Sequence, residues 1–270
     1  MNSIKHIIAI ASGKGGVGKS TTAVNLALAL QVQGAAVGLL DADIYGPSQQ
    51  KMLGIADGTK PDQQGGQYLL PIKAHGLKTM SMGYLASDRT PMVWRGPMAG
   101  GALVQMLEQT LWGELDYLII DMPPGTGDIQ LTLSQKATLA GAVIVTTPQD
   151  IALLDAQKGI EMFRKVDVPI LGVIENMAVH VCSECGHAEH IFGADGGQRI
   201  ADEYGVDLLA SLPLALSIRE QTDSGSPTVV SEPESAAAAS YLAAARAIDD
   251  KLGSADDGVR QFPNITISDD

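Results

Sequence analysis

A run of glycine and lysine residues near the start of the chain has the composition of a phosphate-binding loop. Residues 13–20 read Gly-Lys-Gly-Gly-Val-Gly-Lys-Ser and follow an apolar run at 7–11. The spacing fits G-x-x-x-x-G-K-[ST], in which glycines let successive backbone N–H groups point at phosphate oxygens and the next helix adds the positive end of its dipole. A chance glycine-rich turn is the alternative, but the octet lies between a predicted strand and a predicted helix. It therefore predicts a site for a nucleoside triphosphate.

The side chains of this loop have distinct predicted roles. Lys19 is expected to reach the β- and γ-phosphates, and the Ser20 hydroxyl is expected to bind Mg²⁺. Lys14 is poorly placed for its own site, but it can reach across a dimer interface to the nucleotide of a partner. The predicted nucleotide contacts within the loop are Gly13, Lys14, Gly15, Gly16, Val17, Gly18, Lys19, Ser20 and Thr21.

Acidic residues follow two of the predicted strands, at the edge of a parallel sheet where ligands bind. Asp121 ends an apolar run and is expected to hold Mg²⁺ through a water molecule. Asp43 follows an earlier run and is expected to orient the attacking water, because phosphoryl transfer depends on positioning. Residues 122–128 are predicted to form a switch segment in which the Gly125 N–H senses the γ-phosphate.

Other polar residues near strand ends have two interpretations each. Asp41 is either part of the acidic site or a strand-end residue that tethers a loop. Asp128 is expected to cap a helix rather than to act in catalysis. Asn176 follows the apolar run at 170–175 and is expected either to hydrogen-bond an adenine edge or to satisfy the backbone of a loop.

The two cysteines, at 182–185, have the spacing of a metal-binding pair. A closed tetrahedral site needs four ligands, so one chain supplies half of it, and a symmetric dimer would bring four sulfurs together on its axis. His180, His187 and His190 are near enough in sequence to complete a zinc site within one chain instead. A thioredoxin-like redox pair and inert thiols are the remaining interpretations. We predict metal or cluster binding.

The composition argues against several classes of protein. The chain of 270 residues carries a net charge of −13 and 4% aromatic residues, which disfavours nucleic acid as a partner because that binding needs clustered Lys and Arg. The N-terminal apolar run enters the loop directly, unlike a signal peptide, and no apolar stretch reaches the roughly 18 residues of a membrane span. Two cysteines make no disulfide framework. We predict a cytoplasmic protein without nucleic-acid or membrane partners.

The elements that must position these residues alternate between strands and helices. Predicted strands, apolar on both faces as in a buried parallel sheet, span residues 7–11, 36–41, 77–82, 117–121, 142–146, 170–175 and 208–212. Predicted helices span residues 20–33, 100–111, 129–139, 151–165 and 197–204. Asp128 and Asp150 are predicted N-caps. This alternation predicts an α/β fold with a mostly parallel central sheet flanked by helices on both faces.

Two regions depart from the alternation. Residues 57–75 are rich in Gly, Gln and Pro and are predicted to form an excursion with a small hairpin near residues 68–72. Residues 233–252 form a predicted alanine-rich helix, and residues 253–270 a mobile acidic tail. We therefore predict a single domain over residues 1–252, followed by the tail.

These motifs together resemble the Mrp/ApbC family of iron–sulfur cluster carrier ATPases, within the deviant Walker A group of P-loop NTPases that includes MinD, ParA and nitrogenase iron protein. The loop alone indicates only the superfamily. The narrower match covers nearly the whole chain and rests on Asp-Ala-Asp-Ile-Tyr-Gly-Pro-Ser at 41–48, Trp-Arg-Gly-Pro-Met at 94–98, Asp-Met-Pro-Pro-Gly-Thr-Gly-Asp at 121–128, Val-Ile-Glu-Asn-Met at 173–177, the Cys-x-x-Cys pair, and Arg219-Glu220 before Pro227.

The resemblance implies a homodimer that binds ATP and hydrolyses it slowly. It also implies a [4Fe–4S] cluster that Cys182 and Cys185 of both chains hold across the interface and that passes from a cluster donor to apo iron–sulfur proteins. In the family pattern, Lys14 is the signature lysine, Lys19 the phosphate-loop lysine and Asp43 the switch carboxylate. Many bacterial members carry a further small N-terminal domain, whereas this sequence begins a few residues before the loop, so the resemblance does not extend to docking that depends on such a domain.

Two other functions fit parts of the sequence. A ParA- or MinD-like positioning ATPase would use a basic DNA-binding face or a basic amphipathic C-terminal helix, and the net charge of −13 and the ending Asn-Ile-Thr-Ile-Ser-Asp-Asp at 264–270 disfavour both. A regulatory ATPase with a structural zinc at the cysteine pair is the second, because thiolates do not reveal their metal. The carrier is the function that we predict.

Overall fold

A central sheet of eight strands organises the chain in the computed structural model, which describes residues 3–84 and 96–259, with the side chains of 96–99 and 255–259 excepted. The strands are β1 (Ser3–Ala11), β2 (Val37–Asp41), β3 (Gln63–Gln64), β4 (Tyr68–Leu69), β5 (Ile72–Ala74), β6 (Leu77–Ser81), β7 (Glu114–Asp121), β8 (Gly141–Thr146), β9 (Ile170–Glu175), β10 (His180–Val181), β11 (Ala188–Glu189) and β12 (Leu208–Ser211). The order in the sheet is β12-β9-β8-β1-β7-β2-β6-β5, and all neighbours are parallel except β5 and β6.

Helices cover both faces of this sheet. They are α1 (Lys19–Val32), α2 (Gln49–Met52), α3 (Gly96–Gln109), α4 (Asp128–Lys136), α5 (Asp150–Lys165), α6 (Gly196–Tyr204), α7 (Leu216–Asp223), α8 (Thr228–Ser231) and α9 (Ala236–Val259). None of the helices in the described part of the chain is long and apolar enough to cross a membrane.

The two faces of the sheet belong to two separate apolar cores. Ile8 and Ile10 of β1 pack into a core with α1 and α9, whereas Ala9 and Ala11 pack into a core with α3, α4, α5 and α6. Successive side chains of a strand point to opposite faces, so a strand with a core on each side must be apolar throughout. This is why the strands have no polar alternation, and it confirms the predicted α/β fold.

The predicted strands and helices are present with shifted ends, but the excursion at 57–75 differs from its prediction. It contains two pairings instead of one hairpin. β3 and β4 form a separate antiparallel pair, whereas β5 joins the edge of the main sheet beside β6. Tyr68 and Ile72 therefore lie in different sheets. The composition of residues 57–75 indicated that they would not form a βα repeat. It did not indicate which strand each segment would pair with.

The prediction that Asp128 and Asp150 cap helices is wrong. Gly127 and Gln149 occupy the N-cap positions, and the two aspartates are the first helical residues of α4 and α5. A carboxylate there still lies beside the positive end of the helix dipole. The residue type is therefore favourable at this place without a side-chain capping bond.

The last helix continues past the predicted end of the domain. α9 runs through residue 252 to Val259, and Tyr241, Ile248 and Leu252 of this helix are buried in the core with α1. The rest of the predicted tail, residues 260–270, lies outside the described residues, as do Trp94 and Arg95 of the family motif.

Candidate functional site

The predicted phosphate loop connects β1 to α1 at the carboxyl edge of the sheet. Gly16 and Gly18 have φ angles of 83° and 84°, in the left-handed region that favours glycine. Gly13 packs directly on α5, where a Cβ atom would lie 2.1 Å from the backbone carbonyl carbon of Asp155. The turn and the packing of the loop thus both require glycine, independently of any ligand.

The centre of the site is a buried ion pair. Lys19 Nζ lies 2.5 Å from Asp121 Oδ1 and donates to Ser20 Oγ at 3.2 Å. The side chains of Lys19 and Asp121 are 6% and 0% exposed. Asp121 pairs with Ile10 in the register of β1 and β7, so the carboxylate ends its strand beside the start of the loop. The structure therefore brings three predicted site residues into direct contact.

A buried glutamine, which the sequence patterns do not indicate, holds the other oxygen of the same carboxylate. Gln49 Nε2 donates to Asp121 Oδ2 at 2.8 Å and to the backbone oxygen of Ser20 at 3.0 Å. Gln49 is 1% exposed, and its Oε1 has no hydrogen-bond partner among the described residues. Leaving a buried acceptor unsatisfied costs about 1–3 kcal/mol. The available signal was a polar residue, Gln49, directly after the acidic motif at 41–48.

Asp41 tethers the loop that carries Asp43 and Gln49. Its Oδ2 accepts hydrogen bonds from the N–H groups of Ser48 and Gln49 at 3.0 and 3.1 Å and from the Ser81 hydroxyl at 3.1 Å. Its Oδ1 accepts from the Asp43 N–H at 3.1 Å. Burial, and then the nearby charge of Asp121, raise the pKa of Asp41 to about 7. This is the tethering arrangement considered for Asp41.

One cavity of about 210 Å³ gathers the remaining predicted groups of the site. It is lined by Ser12, Lys14, Gly15, Gly16, Gly18, Lys19, Ser20, Thr21, Asp43, Ser48, Met52 and Pro124. Asp43 is half-buried, and its Oδ1 accepts from the Gly46 N–H at 3.2 Å. Burial raises the pKa of Asp43, against the opposing effect of the Lys19 charge. Lys14 and Asp43 therefore line the same cavity as Lys19, and the reach of Lys14 to the nucleotide of a partner stays a prediction.

Two other predicted contacts of the nucleotide are hydrogen-bonded to the loop itself. The Gly125 N–H donates to the Ser12 carbonyl oxygen, and Asn176 Nδ2 donates to the Val17 carbonyl oxygen, both at 2.9 Å. Asn176 thus satisfies the loop backbone. It also lines a second cavity of about 180 Å³ beside Thr21. Its contact with an adenine edge stays a prediction.

The cysteine pair lies in a separate, exposed hairpin formed by β10 and β11. The Cys182 N–H donates to the His187 carbonyl oxygen, and the Gly186 N–H donates back to the Cys182 carbonyl oxygen, both at 2.9 Å. Cys185 is exposed. Hydrogen bonds from the N–H groups of Cys185 and Glu184 lower the pKa of the Cys182 thiol. This favours the thiolate, the form that binds metals and clusters.

Two of the histidines predicted as alternative zinc ligands lie within hydrogen-bonding distance of backbone carbonyl oxygens through Nδ1, which leaves Nε2 as their other ring nitrogen. His180 Nδ1 lies 3.1 Å from the Leu214 carbonyl oxygen, and His190 Nδ1 lies 2.7 Å from the Ala178 carbonyl oxygen. In the part of the chain that the structure describes, no three His, Cys, Asp or Glu side chains come together as a metal-binding group. Within the described residues, one chain therefore presents two thiols at the hairpin, half the number of ligands that a closed tetrahedral site requires.

The sheet order and the glycine-rich loop define a P-loop NTPase of the ParA and MinD type. A nucleotide-binding protein of Archaeoglobus fulgidus, solved in complex with ADP, is 37% identical, with a TM-score of 0.74 over 86% of this chain and 90% of its own. MinD of Pyrococcus horikoshii, solved with Mg-ADP, is 27% identical, with a TM-score of 0.72 over 94% of this chain and 98% of its own.

Sequence comparison narrows this class to a family. Residues 3–249 match the ParA family model described as NUBPL iron-transfer P-loop NTPase, and the chain belongs to this family. An iron–sulfur cluster carrier protein of Pseudomonas fragi is 66% identical over 238 residues, which are 88% of this chain and 83% of the relative. The protein of the same name in Escherichia coli is 61% identical over 241 residues, which are 89% of this chain and 65% of the relative.

Proposed function

We propose that this chain is a nucleotide-gated iron–sulfur carrier. It binds ATP and hydrolyses it slowly, holds a [4Fe–4S] cluster between two copies of itself, and passes the cluster to apo iron–sulfur proteins. The observation that carries the proposal is a phosphate loop with its buried carboxylate in place, on a chain that also carries two free thiols in a separate hairpin. The names of the two bacterial relatives, which refer to cluster carriers, support it.

The residues around the loop fit ATP with Mg²⁺. Backbone N–H groups of the glycine-rich turn and the Lys19 ammonium supply positive charge for the phosphates. Ser20 would bind the metal directly and Asp121 through water, and the buried unpaired Gln49 Oε1 leaves an acceptor for such a water. The bound metal would neutralise charge that develops on the phosphates. Asp43, in the same cavity, orients the attacking water.

The Lys14 side chain acts on the nucleotide of the partner chain and thereby closes the dimer. The switch segment at 122–128 is tied to the loop by the hydrogen bond from Gly125 to Ser12. A γ-phosphate that accepts the Gly125 N–H would replace this bond with one to the nucleotide, so the segment would be held by ATP when the dimer closes. In this proposal, the closure changes how firmly Cys182 and Cys185 hold the cluster.

We propose that the cysteine hairpin lies at the interface of the dimer. Two hairpins on a two-fold axis bring four thiolates together, the ligand set of a [4Fe–4S] cluster. Val181, next to Cys182, is 52% exposed, and Ile191, just after β11, is 51% exposed, so apolar area is available around the pair for a partner copy to cover. We assign the carrier to residues 1–252 and to the cytoplasm, where a cluster donor and apoproteins would be its partners.

Anaerobic reconstitution with iron and sulfide tests this function. The wild-type chain is expected to become a brown dimer with about four irons per two chains, measured by absorbance, metal analysis and gel filtration. Cys185→Ala is expected to lose the cluster and to retain ATP binding. Lys19→Ala is expected to lose ATP binding and to retain the cluster.

Two outcomes contradict the carrier. A colourless protein that retains zinc through purification would indicate a regulatory ATPase with a structural zinc instead. Loss of both functions in either variant, when urea denaturation shows that the variant is folded, would show that the two sites are not separable and would contradict the proposed gating.

A further inference from the structure

Gln49 is a buried polar residue that belongs neither to the phosphate loop at 13–20 nor to the predicted switch segment at 122–128. Its Nε2 bridges the two residues proposed to hold the cation, at 2.8 Å from Asp121 Oδ2 and 3.0 Å from the Ser20 backbone oxygen. Its backbone N–H donates to Asp41 Oδ2 at 3.1 Å. Both the main chain and the side chain of Gln49 are therefore anchored at the cation side of the site.

Lys19 and Gln49 divide the Asp121 carboxylate between them. Lys19 Nζ lies 2.5 Å from Oδ1, whereas the amide of Gln49 binds Oδ2. A lysine that turns to the phosphates leaves Oδ1 free for a metal-bound water. The bond from Gln49 to Oδ2 does not depend on the lysine, so the carboxylate keeps one partner and its orientation through this exchange.

The other end of the Gln49 amide has no hydrogen-bond partner among the described residues. Its Oε1 is buried and accepts no hydrogen bond from the described residues, and the neighbouring Ser48 Oγ, on the wall of the loop cavity, is buried and unpaired as well. Buried side-chain acceptors are nearly always satisfied, so an unpaired oxygen on the amide that binds Asp121 offers an acceptor for a donor that comes with the ligand of this carboxylate. Water in the shell of a divalent cation is a donor of this kind.

We propose that Gln49 is a positioning residue of the magnesium site. It aligns the Asp121 carboxylate through Nε2 and accepts a hydrogen bond from a cation-bound water through Oε1. The inference rests on the proposed function, since it assumes that ATP binds with Mg²⁺. Gln49 is expected to affect the binding of the metal and not that of the phosphates, because it acts through Asp121 and through water.

Gln49→Met tests the proposal, because it keeps the length of the side chain and removes both polar atoms. We would measure Mn²⁺ binding to the protein–ATP complex by EPR, and binding of a fluorescent ATP analogue with EDTA and with Mg²⁺. Mn²⁺ affinity is expected to fall about tenfold, or about 1.4 kcal/mol, as for other outer-shell partners of metal ligands. The affinity for the nucleotide without metal is expected to stay within about twofold of the wild-type value, which is less than the tenfold fall in Mn²⁺ affinity.

Gln50→Met is the matched control. Gln50 is the next residue, and its Nε2 donates to the Ala56 carbonyl oxygen at 3.0 Å, away from Asp121. It is expected to bind Mn²⁺ as the wild type does. If the urea midpoint shows that Gln49→Met does not fold, Gln49→Asn replaces it, because an amide that is one methylene shorter is expected to lose Mn²⁺ affinity in the same way.

Two results would overturn this inference while ATP still binds to the wild type. One is an unchanged Mn²⁺ affinity in Gln49→Met. The other is a loss of nucleotide affinity that is equal with and without metal, since the residue would then only pack the loop. A wild-type chain that binds no ATP contradicts the proposed function itself, and the inference with it.

Discussion

The nucleotide loop and the cysteine hairpin are built in opposite ways. At the loop, Lys19 and Asp121 are buried and neutralise each other, and the neighbouring elements β2 and α2 add further hydrogen bonds. At the hairpin, strands of two residues each present Cys185 to solvent, and the hydrogen bonds around the pair come from the backbone. The first site is thus part of the buried core that keeps the chain folded, whereas the second lies at the surface.

Lys19→Ala, at the buried site, is expected to change the free energy of unfolding more than the other substitutions do. The substitution leaves the buried Asp121 carboxylate without its counter-charge, which is expected to lower the free energy of unfolding by about 3–5 kcal/mol. Urea denaturation of the metal-free chain measures it. Cys185→Ser, in the exposed hairpin, is expected to change the same quantity by less than about 0.5 kcal/mol. Similar changes in the free energy of unfolding would contradict the prediction that the buried site stabilises the chain more than the exposed hairpin does.

Gly13→Ala tests whether the loop is packed into the core. A methyl group there would lie 2.1 Å from the backbone of Asp155, so the loop and α5 must move apart, at an expected cost of about 2–3 kcal/mol. Gly15→Ala is the matched control, because the nearest atom to its Cβ is Pro124 Cγ at 4.0 Å. Thermal unfolding compares them. Equal transition temperatures of the two variants would show that the loop is not tightly packed against α5 at Gly13.

Asn176→Ala is expected to have a smaller effect, because it removes one hydrogen bond. Loss of the bond to the Val17 carbonyl oxygen is expected to lower the free energy of unfolding by about 1–2 kcal/mol, measured in urea. Competition between ATP and GTP then separates the two interpretations of this residue. A purely structural asparagine weakens both nucleotides alike, whereas an adenine contact weakens ATP more than GTP.

The smallest expected effect concerns the Cys182 thiol. In the Cys185→Ser variant, the pH midpoint of alkylation by iodoacetamide is expected to lie below the ordinary thiol value of about 8.5, because backbone N–H groups stabilise the thiolate. Since the pKa is lowered in the folded state, the contribution of this thiol to stability is present above pH 8.5 or so and is lost as the pH falls through the folded pKa. The urea-unfolded variant is the reference, and an identical midpoint in it would contradict the prediction.

Local patterns alone predicted most of the fold and the identity of the nucleotide loop. The glycine-rich octet, the carboxylates at strand ends and the C-x-x-C spacing each lie within a few residues of sequence. Strands with a core on each side must be apolar throughout, so their runs were visible without knowledge of their neighbours. The fold and the family were therefore recognisable from the sequence, and the comparisons confirm both.

The tertiary structure decided which side chains meet. Gln49 and Asp121 are 72 residues apart, Lys19 and Asp121 are 102 apart, and Asn176 and Val17 are 159 apart. No spacing rule connects such pairs, because their contact depends on the order of strands in the sheet and on the packing of loops at its edge. The motif predicted that Asp121 would matter, but only the folded sheet shows that a lysine and a glutamine share its carboxylate. The physical reason is that residue types and local periodicity are written along the chain, whereas hydrogen bonds between distant side chains form only when the whole core has placed them.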